Sequence, residues 1–235
     1  MFGTVKRAAA GTLRNRELNR SSPGRDTPAP VRYGKPLLFA LCLLPLGSLI
    51  WRTAANQLGA NPVEEVLHCT GSWALRLLLV TLAVTPLRRL TGYGWLVRFR
   101  RPLGLFAFFY AALHLAVYLI LDRTLDWGEV LTDLTERPYI TVGFAAFVLL
   151  VPLAVTSTRG WQRRLGHRWQ LLHRGVYLIT VLGVLHFIWL VKADLLEPLI
   201  DAAVLAVLLA LRLPWPGLGG RRRPLPRDQD NPRTL

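Results

Sequence analysis

The sequence predicts an all-α, polytopic membrane protein with six transmembrane helices in one bundle. Three observations lead to this class. Hydrophobic residues make up 52% of the chain, and the mean hydropathy is +0.32. The apolar residues also fall into runs close to the length that a bilayer core requires. Basic residues are concentrated in the tails and in alternate loops, as the positive-inside rule expects for cytoplasmic segments, so we expect both termini in the cytoplasm.

The chain divides into three segments by composition. Residues 1–35 are basic and rich in Ser, Pro and Gly, without an apolar run long enough for a signal peptide, so we expect a disordered cytoplasmic arm. Residues 36–213 hold the six predicted helices. Residues 214–235 form a basic, Pro-rich tail that we expect on the cytoplasmic side.

Each predicted span is an apolar run bounded by polar loops. In chain order the spans are residues 36–55, 66–87, 102–121, 139–155, 168–192 and 199–213. Pro45 and Gly47 predict a kink in the first span, which neighbouring helices can accommodate. The loops after the second and fourth spans are strongly basic and therefore predicted to be cytoplasmic, which places the acidic segment of residues 122–136 outside.

The formal net charge of +15 raises the possibility of nucleic-acid binding. However, the arginines lie in the tails and alternate loops, where membrane topology explains them better. The two cysteines, Cys42 and Cys69, are far apart in or beside apolar spans. They indicate ordinary buried thiols rather than a disulfide framework or a thiolate metal site.

The histidines of the third and fifth spans are the main indication of function. His173 and His186 lie in the fifth span and His114 in the third. Imidazole is costly in hydrocarbon without a partner, and it is a good axial ligand of haem iron, which bundle cores hold between facing helices. The sequence therefore predicts a haem-binding bundle.

Helix geometry sorts these histidines by depth. His173 and His186 are separated by about 20 Å of rise and about 140° of rotation, so they need not share one haem. His114 lies about 18 Å from the start of its span. Because the third and fifth spans both run outward, His114 and His186 lie at similar heights. They are predicted to ligate one six-coordinate iron suited to electron transfer.

Other polar residues have two open interpretations. Arg76, deep in the second span, is expected to contact a haem propionate or a helix carbonyl. His68, at the outer end of that span, is either an interfacial hydrogen-bonding residue or a ligand. Arg100 and Arg101 either fix topology or bind a flavin phosphate or a quinone.

The sequence also offers glycines that either admit a flat ring or simply help helices pack, namely Gly104, Gly175 and Gly183. In the basic loop after the fourth span, His167 is expected to be solvated.

Long segments of the chain resemble a known family. They are LHCTGSWALRLLLVTLAVTPLRR, RRPLGLFAFFYAALHLAVYLILD and RPYITVGFAAFVLLVPLAVTSTRGWQRRLGHRWQLLHRGVYLITVLGVLHFIWLVK. These closely resemble the MsrQ (YedZ) family of haem-binding membrane subunits, within the ferric-reductase-like transmembrane superfamily. The resemblance covers residues 36–213 and includes the TSTRGWQRRLGHRWQLLHR loop and the HFIWLVK ending in order.

This resemblance implies a b-type haem protein of the bacterial inner membrane. It would take electrons from quinol or a cytoplasmic flavin reductase and pass them to the periplasmic molybdopterin subunit MsrP, which reduces protein methionine sulfoxide. The sulfoxide chemistry then belongs to the partner and not to this chain. FMN is implied by the resemblance alone, since the sequence contains no recognisable flavin motif.

Residue by residue, the resemblance carries over to four histidines. His114, His173 and His186 stand where the family has its haem histidines, and His68 matches another. The third span has only one histidine, so an inner bis-histidine site lacks its second ligand and the number of haems stays open. His173 then either ligates iron with an unusual partner or lies beside a flavin or quinone.

Two other classes remain as alternatives. A transporter or scaffold without a cofactor would explain the six helices but not two histidines at matched depth. A cytochrome b561-like or ferric-reductase-type oxidoreductase would explain both. A self-contained NADPH-driven reductase is disfavoured, because the chain has no GxGxxG unit, so the electron donor is expected to be separate.

Overall fold

A computed structural model describes residues 29–191 and 195–212 of the chain. All the regular secondary structure in these residues is helical. The α-helices are α1 (Ala29–Ala54), α2 (Pro62–Thr91), α3 (Arg100–Val117), α4 (Trp127–Glu136), α5 (Pro138–Val155), α6 (Arg159–Leu165), α7 (His167–Leu190) and α8 (Leu196–Ala210). A 3₁₀ helix, Gly94–Phe99, precedes α3, and a π-helical turn, Tyr118–Asp122, extends it.

Five helical segments in the described residues are long and apolar enough to cross a membrane. They contain α1, α2, α3 with its two extensions, α5 and α7, and they correspond to the first five predicted spans. The predicted all-α, multi-pass membrane class is therefore confirmed. The sixth predicted span corresponds to α8, which has 15 residues and is shorter than the length normally needed to cross a bilayer core.

The first helix begins earlier than predicted. Residues 29–35 were expected to belong to the N-terminal arm, but α1 starts at Ala29. Pro30 does not prevent this start, because proline is tolerated in the first turn, where its missing N–H has no helical partner. The remainder of the predicted arm, residues 1–28, and the predicted tail, residues 214–235, lie outside the described residues.

Helix α2 has clear start and stop signals. The Asn61 side chain accepts a hydrogen bond from the Glu64 backbone N–H, and Pro62 occupies the first helical position. At the other end, Gly92 adopts φ +74°, a left-handed conformation that only glycine adopts without strain, and its N–H bonds to the Arg88 carbonyl. These signals fix the length of the helix that carries His68 and Arg76.

Tyr110 binds the backbone of α1 beside Pro45. Its hydroxyl donates to the Cys42 carbonyl over 2.8 Å and accepts from the Leu46 N–H over 3.2 Å. These two backbone groups would normally bond to each other, four residues apart, so the hydroxyl is inserted into the helical ladder. Tyr110 is 1% exposed. It therefore joins this turn of α1 to α3.

The centre of the bundle consists of two closely packed helix pairs, α2 with α3 and α5 with α7. Leu82, Ala107 and Ile179 lie in the core between the helices and are almost completely buried. Many large apolar side chains face outward, as expected for surfaces in contact with lipid. Because lipid is as apolar as these side chains, association of the pairs depends on close packing and on hydrogen bonds between helices.

Helix α4 is held at the predicted outer end by a buried carboxylate. Asp133 accepts a hydrogen bond from the Tyr118 hydroxyl at 2.8 Å and forms ion pairs with Arg123 at 2.7 Å and Arg137 at 3.0 Å. A hydrogen bond to Tyr139 and the charge of Asp133 both raise the pKa of Arg137, so it stays protonated. This network connects the end of α3 to the start of α5.

Candidate functional site

His114 on α3 and His186 on α7 lie side by side in the bundle. Their ring centres are 6.2 Å apart, and the ring planes are inclined at 78°. Both side chains are partly buried. The two residues predicted from helix depth to share a ligand are thus placed at one position by the structure.

Both imidazoles are oriented by backbone carbonyls of neighbouring helices. Nδ1 of His114 lies 3.0 Å from the carbonyl oxygen of Leu67 on α2, with the Thr70 hydroxyl 3.4 Å away. Nδ1 of His186 lies 2.6 Å from the carbonyl oxygen of Tyr139 on α5. A carbonyl oxygen can only accept, so each Nδ1 must carry the proton and donate.

This hydrogen bonding determines what the pair can do. With the proton on Nδ1, a neutral imidazole has its lone pair on Nε2, which is the atom available to a metal. A second hydrogen bond of this kind fixes the tautomer and the orientation of metal-ligating histidines in general. His114 and His186 therefore each combine a hydrogen-bonded Nδ1 with an unprotonated Nε2, which is the state that a metal-ligating histidine requires.

His173 is separate from this pair. It lies near the start of α7, where its ring stacks on Trp169 with centres 3.9 Å apart. Its Nδ1 lies 3.1 Å from the Trp169 carbonyl oxygen. Arg100 is close enough to interact with it electrostatically. Within the described residues, no second histidine contacts His173, so its surroundings differ from those of the outer pair.

A polar cluster connects α2 and α8. Glu197 forms ion pairs with His68 at 3.7 Å and with Arg76 at 3.6 Å. Ser72 lies one turn from each of these basic residues on α2, and its buried hydroxyl has no hydrogen-bond partner among the described residues. Asp201, one turn after Glu197 on α8, is 8% exposed. Arg76 therefore has a carboxylate partner in the protein, where the sequence suggested a haem propionate or a helix carbonyl.

An aromatic contact brings this cluster to the part of α7 that carries His186. The His68 ring lies 5.7 Å from the ring of Phe187, the neighbour of His186 on α7. The guanidinium of Arg76 lies 5.7 Å from the centre of the Trp73 ring. His68 and Arg76 thus belong to one polar region next to the ligand pair, although neither is shown in contact with His114 or His186.

Arg100 and Arg101 lie at the first turn of α3, partly buried and exposed respectively. Neither forms an ion pair with a described residue. His167 is exposed at the start of α7, in keeping with the solvated role expected for it. Cys42 and Cys69 are free thiols; Cys42 is buried, as the sequence indicated, whereas Cys69 is only partly buried.

Several residues of the site were not found by sequence reasoning. The carbonyls of Leu67 and Tyr139 carry no side-chain signal, because any residue offers a carbonyl. Arg212, just after α8, bonds to the Tyr177 hydroxyl and the Leu82 carbonyl oxygen. A basic residue at the end of an apolar run indicated only topology, although its partners lie in the bundle.

The chain is similar to proteins of known family. Residues 70–184 match the family model described as ferric reductase like transmembrane component. The heme-binding subunit MsrQ of protein-methionine-sulfoxide reductase from Xanthomonas axonopodis pv. citri (strain 306) is 50% identical over 214 residues, covering 88% of this chain and 98% of the relative.

Similar values are found for other relatives with the same name. The protein from Xanthomonas campestris pv. campestris (strain 8004) is 53% identical over 194 residues, covering 80% of this chain and 88% of the relative. The protein from Herminiimonas arsenicoxydans is 52% identical over 192 residues, with the same coverage of both chains. The region matched by the family model contains His114 and ends two residues before His186.

Proposed function

Because the chain belongs to the MsrQ family of heme-binding subunits of protein-methionine-sulfoxide reductase, we propose that it is a b-type haem electron-transfer subunit of the bacterial inner membrane. Its electrons come from the quinone pool or a flavin reductase. They pass to the periplasmic molybdopterin subunit MsrP, where protein methionine sulfoxide is reduced. The chain itself then contains no residue that acts on the sulfoxide.

The adjacent imidazoles of His114 and His186 are the observation that carries this proposal. Imidazole nitrogen binds first-row metals at about 2 Å, so two rings on opposite sides of one metal would have their centres about 6 Å apart. The observed separation is 6.2 Å. This separation suits two residues that would hold haem iron through Nε2, while the carbonyls of Leu67 and Tyr139 hold Nδ1.

The role of the protein follows from these contacts. Bound haem supplies one-electron chemistry at a potential that depends on its axial ligands and surroundings. His114 and His186 would occupy both axial positions and so leave no open position for a substrate. The two backbone carbonyls hold the rings in one orientation, which limits the rearrangement needed when the charge of the centre changes.

The polar cluster on α2 and α8 is our candidate for contacts to the haem periphery. Arg76 is paired with Glu197 at a distance longer than a hydrogen bond, which leaves its donors available to a propionate. The unpartnered Ser72 hydroxyl offers a further donor on the same face of the helix. We assign His68 to this group as a hydrogen-bonding residue.

His173, Arg100 and Arg101 form the proposed electron-entry side. His173 lies in the second turn of α7 and the two arginines in the first turn of α3, toward the predicted cytoplasmic face. The two arginines suit a flavin phosphate or a quinone oxygen, and the stacked Trp169–His173 pair offers an aromatic surface beside them. FMN and quinone are assigned to this side on family resemblance and charge.

The proposed docking side is the acidic segment of residues 122–136. Glu129 and Glu136 are exposed on α4, where they can meet basic residues of a partner. Asp133, by contrast, is buried and bound to Arg123 and Arg137. It is therefore expected to support the fold of this surface rather than to contact MsrP.

The test is an absorption spectrum of the purified protein with haem quantitation. We expect a reducible, low-spin b-type spectrum in the wild-type protein. His114→Ala and His186→Ala should each abolish it, because each leaves the iron without one axial ligand. His167→Ala is the matched control, since this histidine is exposed and should not affect the spectrum.

Two results would contradict the proposal. A wild-type protein that binds no haem after expression with sufficient haem supply would remove the function itself. Normal haem content with a low-spin spectrum in both ligand variants would retain a haem protein but reject the pairing of His114 with His186.

A further inference from the structure

The two candidate ligands are held by the same backbone arrangement, used twice. Each Nδ1 donates to a carbonyl that lies 47 residues earlier in the chain, Leu67 for His114 and Tyr139 for His186. In each case a glycine follows the carbonyl by one helical turn, namely Gly71 on α2 and Gly143 on α5.

The two glycines are the places where the imidazoles approach the neighbouring helix. A Cβ atom at Gly143 would lie 2.7 Å from Nδ1, 2.9 Å from Cε1 and 3.1 Å from Cγ of His186. A Cβ atom at Gly71 would lie 3.1 Å from both Cε1 and Nδ1 of His114. The first contact is too short for any side chain, and the second is tighter than ordinary van der Waals contact.

The rings cannot easily move away from such a contact. Each Nδ1 must stay within hydrogen-bond distance of the carbonyl one turn before the glycine, and each Nε2 must face the opposite ligand. A carbonyl inside a helix is normally covered by the side chain one turn later, because side chains lean toward the helix N-terminus. Glycine removes that cover, so the second lone pair of the carbonyl becomes accessible to the imidazole.

The glycines on α3 and α7, the helices that carry His114 and His186, do not approach either imidazole. A Cβ atom at Gly104 on α3 would meet nothing closer than 3.9 Å, and the same distance applies at Gly175 on α7. At Gly183 it would lie 3.3 Å from a side-chain carbon of Leu75, which is helix packing rather than ligand contact. The three glycines considered from the sequence are thus not those that face the histidines.

We propose that Gly71 and Gly143 are positioning residues that let His114 and His186 reach the carbonyls that set their tautomer and orientation for iron. This inference rests on the proposed function. It also makes α2 with α3 and α5 with α7 two copies of one ligand-holding unit, each supplying a carbonyl, a glycine and a histidine.

The test compares alanine variants at these glycines with Gly104→Ala and Gly175→Ala as controls. Alanine is the better helix former, so helix propensity alone would not destabilise any of the four. We measure haem content, the low-spin spectrum, electron paramagnetic resonance g-values and reduction potential of the purified proteins. Far-ultraviolet circular dichroism and thermal unfolding report whether each variant is folded.

We expect Gly143→Ala to lose the low-spin spectrum, with a folded helical protein and little bound haem. Gly71→Ala should keep haem but show altered g-values and a shifted potential, since its contact is milder. Both controls should match the wild-type protein. If Gly143→Ala does not accumulate, Gly71→Ala decides the question by its spectrum, because that contact requires a shift of only a few tenths of an ångström.

Glycine variants with the spectrum, g-values and potential of the controls would overturn the inference while leaving the haem function intact. Absence of haem in the wild-type protein and in both controls would instead reject the proposed function. The same loss of haem in all four alanine variants would also overturn the inference, because it would show a general sensitivity of the helices to added side chains.

Discussion

Removal of the Tyr110 hydroxyl tests how α1 is joined to the bundle. Tyr110→Phe keeps the buried ring but deletes the donor to the Cys42 carbonyl and the acceptor for the Leu46 N–H. Hydrogen bonds between transmembrane helices contribute on average about 0.6 kcal/mol and at most about 1.7 kcal/mol. For two bonds we expect a loss of about 1–2 kcal/mol in the free energy of unfolding.

The assay is unfolding of the purified protein by sodium dodecyl sulfate, followed by circular dichroism and by the haem spectrum. The matched control is Tyr93→Phe, because Tyr93 is 58% exposed. We expect a lower midpoint for Tyr110→Phe, together with an unchanged low-spin spectrum before unfolding. The spectrum should persist because the Leu67 carbonyl, and not Tyr110, orients His114.

An unchanged midpoint in Tyr110→Phe would refute this reasoning. It would mean that the Cys42 carbonyl and the Leu46 N–H bond to each other when the hydroxyl is absent. Loss of haem before unfolding would refute a different step, namely that Tyr110 takes no part in orienting His114.

Two further predictions concern the two ends of the bundle. Asp133→Asn should lower the free energy of unfolding by about 2 kcal/mol, since charged hydrogen bonds are lost, whereas Glu136→Gln should change it by less than about 0.5 kcal/mol. Equal stability of the two variants would contradict the buried role of Asp133. Glu136→Gln should instead weaken MsrP binding in a salt-dependent manner. His173→Ala should slow haem reduction by a quinol or flavin donor more than haem oxidation by MsrP, measured as separate stopped-flow half-reactions. Complete loss of haem in His173→Ala would show an axial ligand instead of an entry-side residue.

The sequence predicted the membrane depth of the site histidines but not their contacts with each other. The apolar runs are a local property of the chain, so they predicted the first five membrane helices and the heights of His114 and His186. The rotation of each helix about its axis depends on packing against the other helices. Ideal helix geometry therefore could not show which histidine side chains are adjacent. The structure resolves this by placing His186 next to His114 and His173 against Trp169.

The pattern of charged residues in the sequence also did not predict their partners or their burial. Arg76 was recognised as too deep for simple solvation, but its partner, Glu197, lies on another helix far along the chain. In the acidic outer segment, composition treats all carboxylates alike, whereas tertiary contacts bury Asp133 and leave Glu136 exposed. The difference is one of burial, and burial depends on how the helices pack.

The sequence by itself determined the membrane class, the order of the helices and the presence of imidazoles at matched depth, because hydrophobicity and helical rise act along the chain. Only the tertiary structure decided which nitrogen of each imidazole is free, since that depends on carbonyls 47 residues away on neighbouring helices. It also decided that Gly71 and Gly143 are the glycines in contact with the rings. A glycine carries no side chain whose pattern could reveal its neighbour, so its role appears only when the helices are brought together.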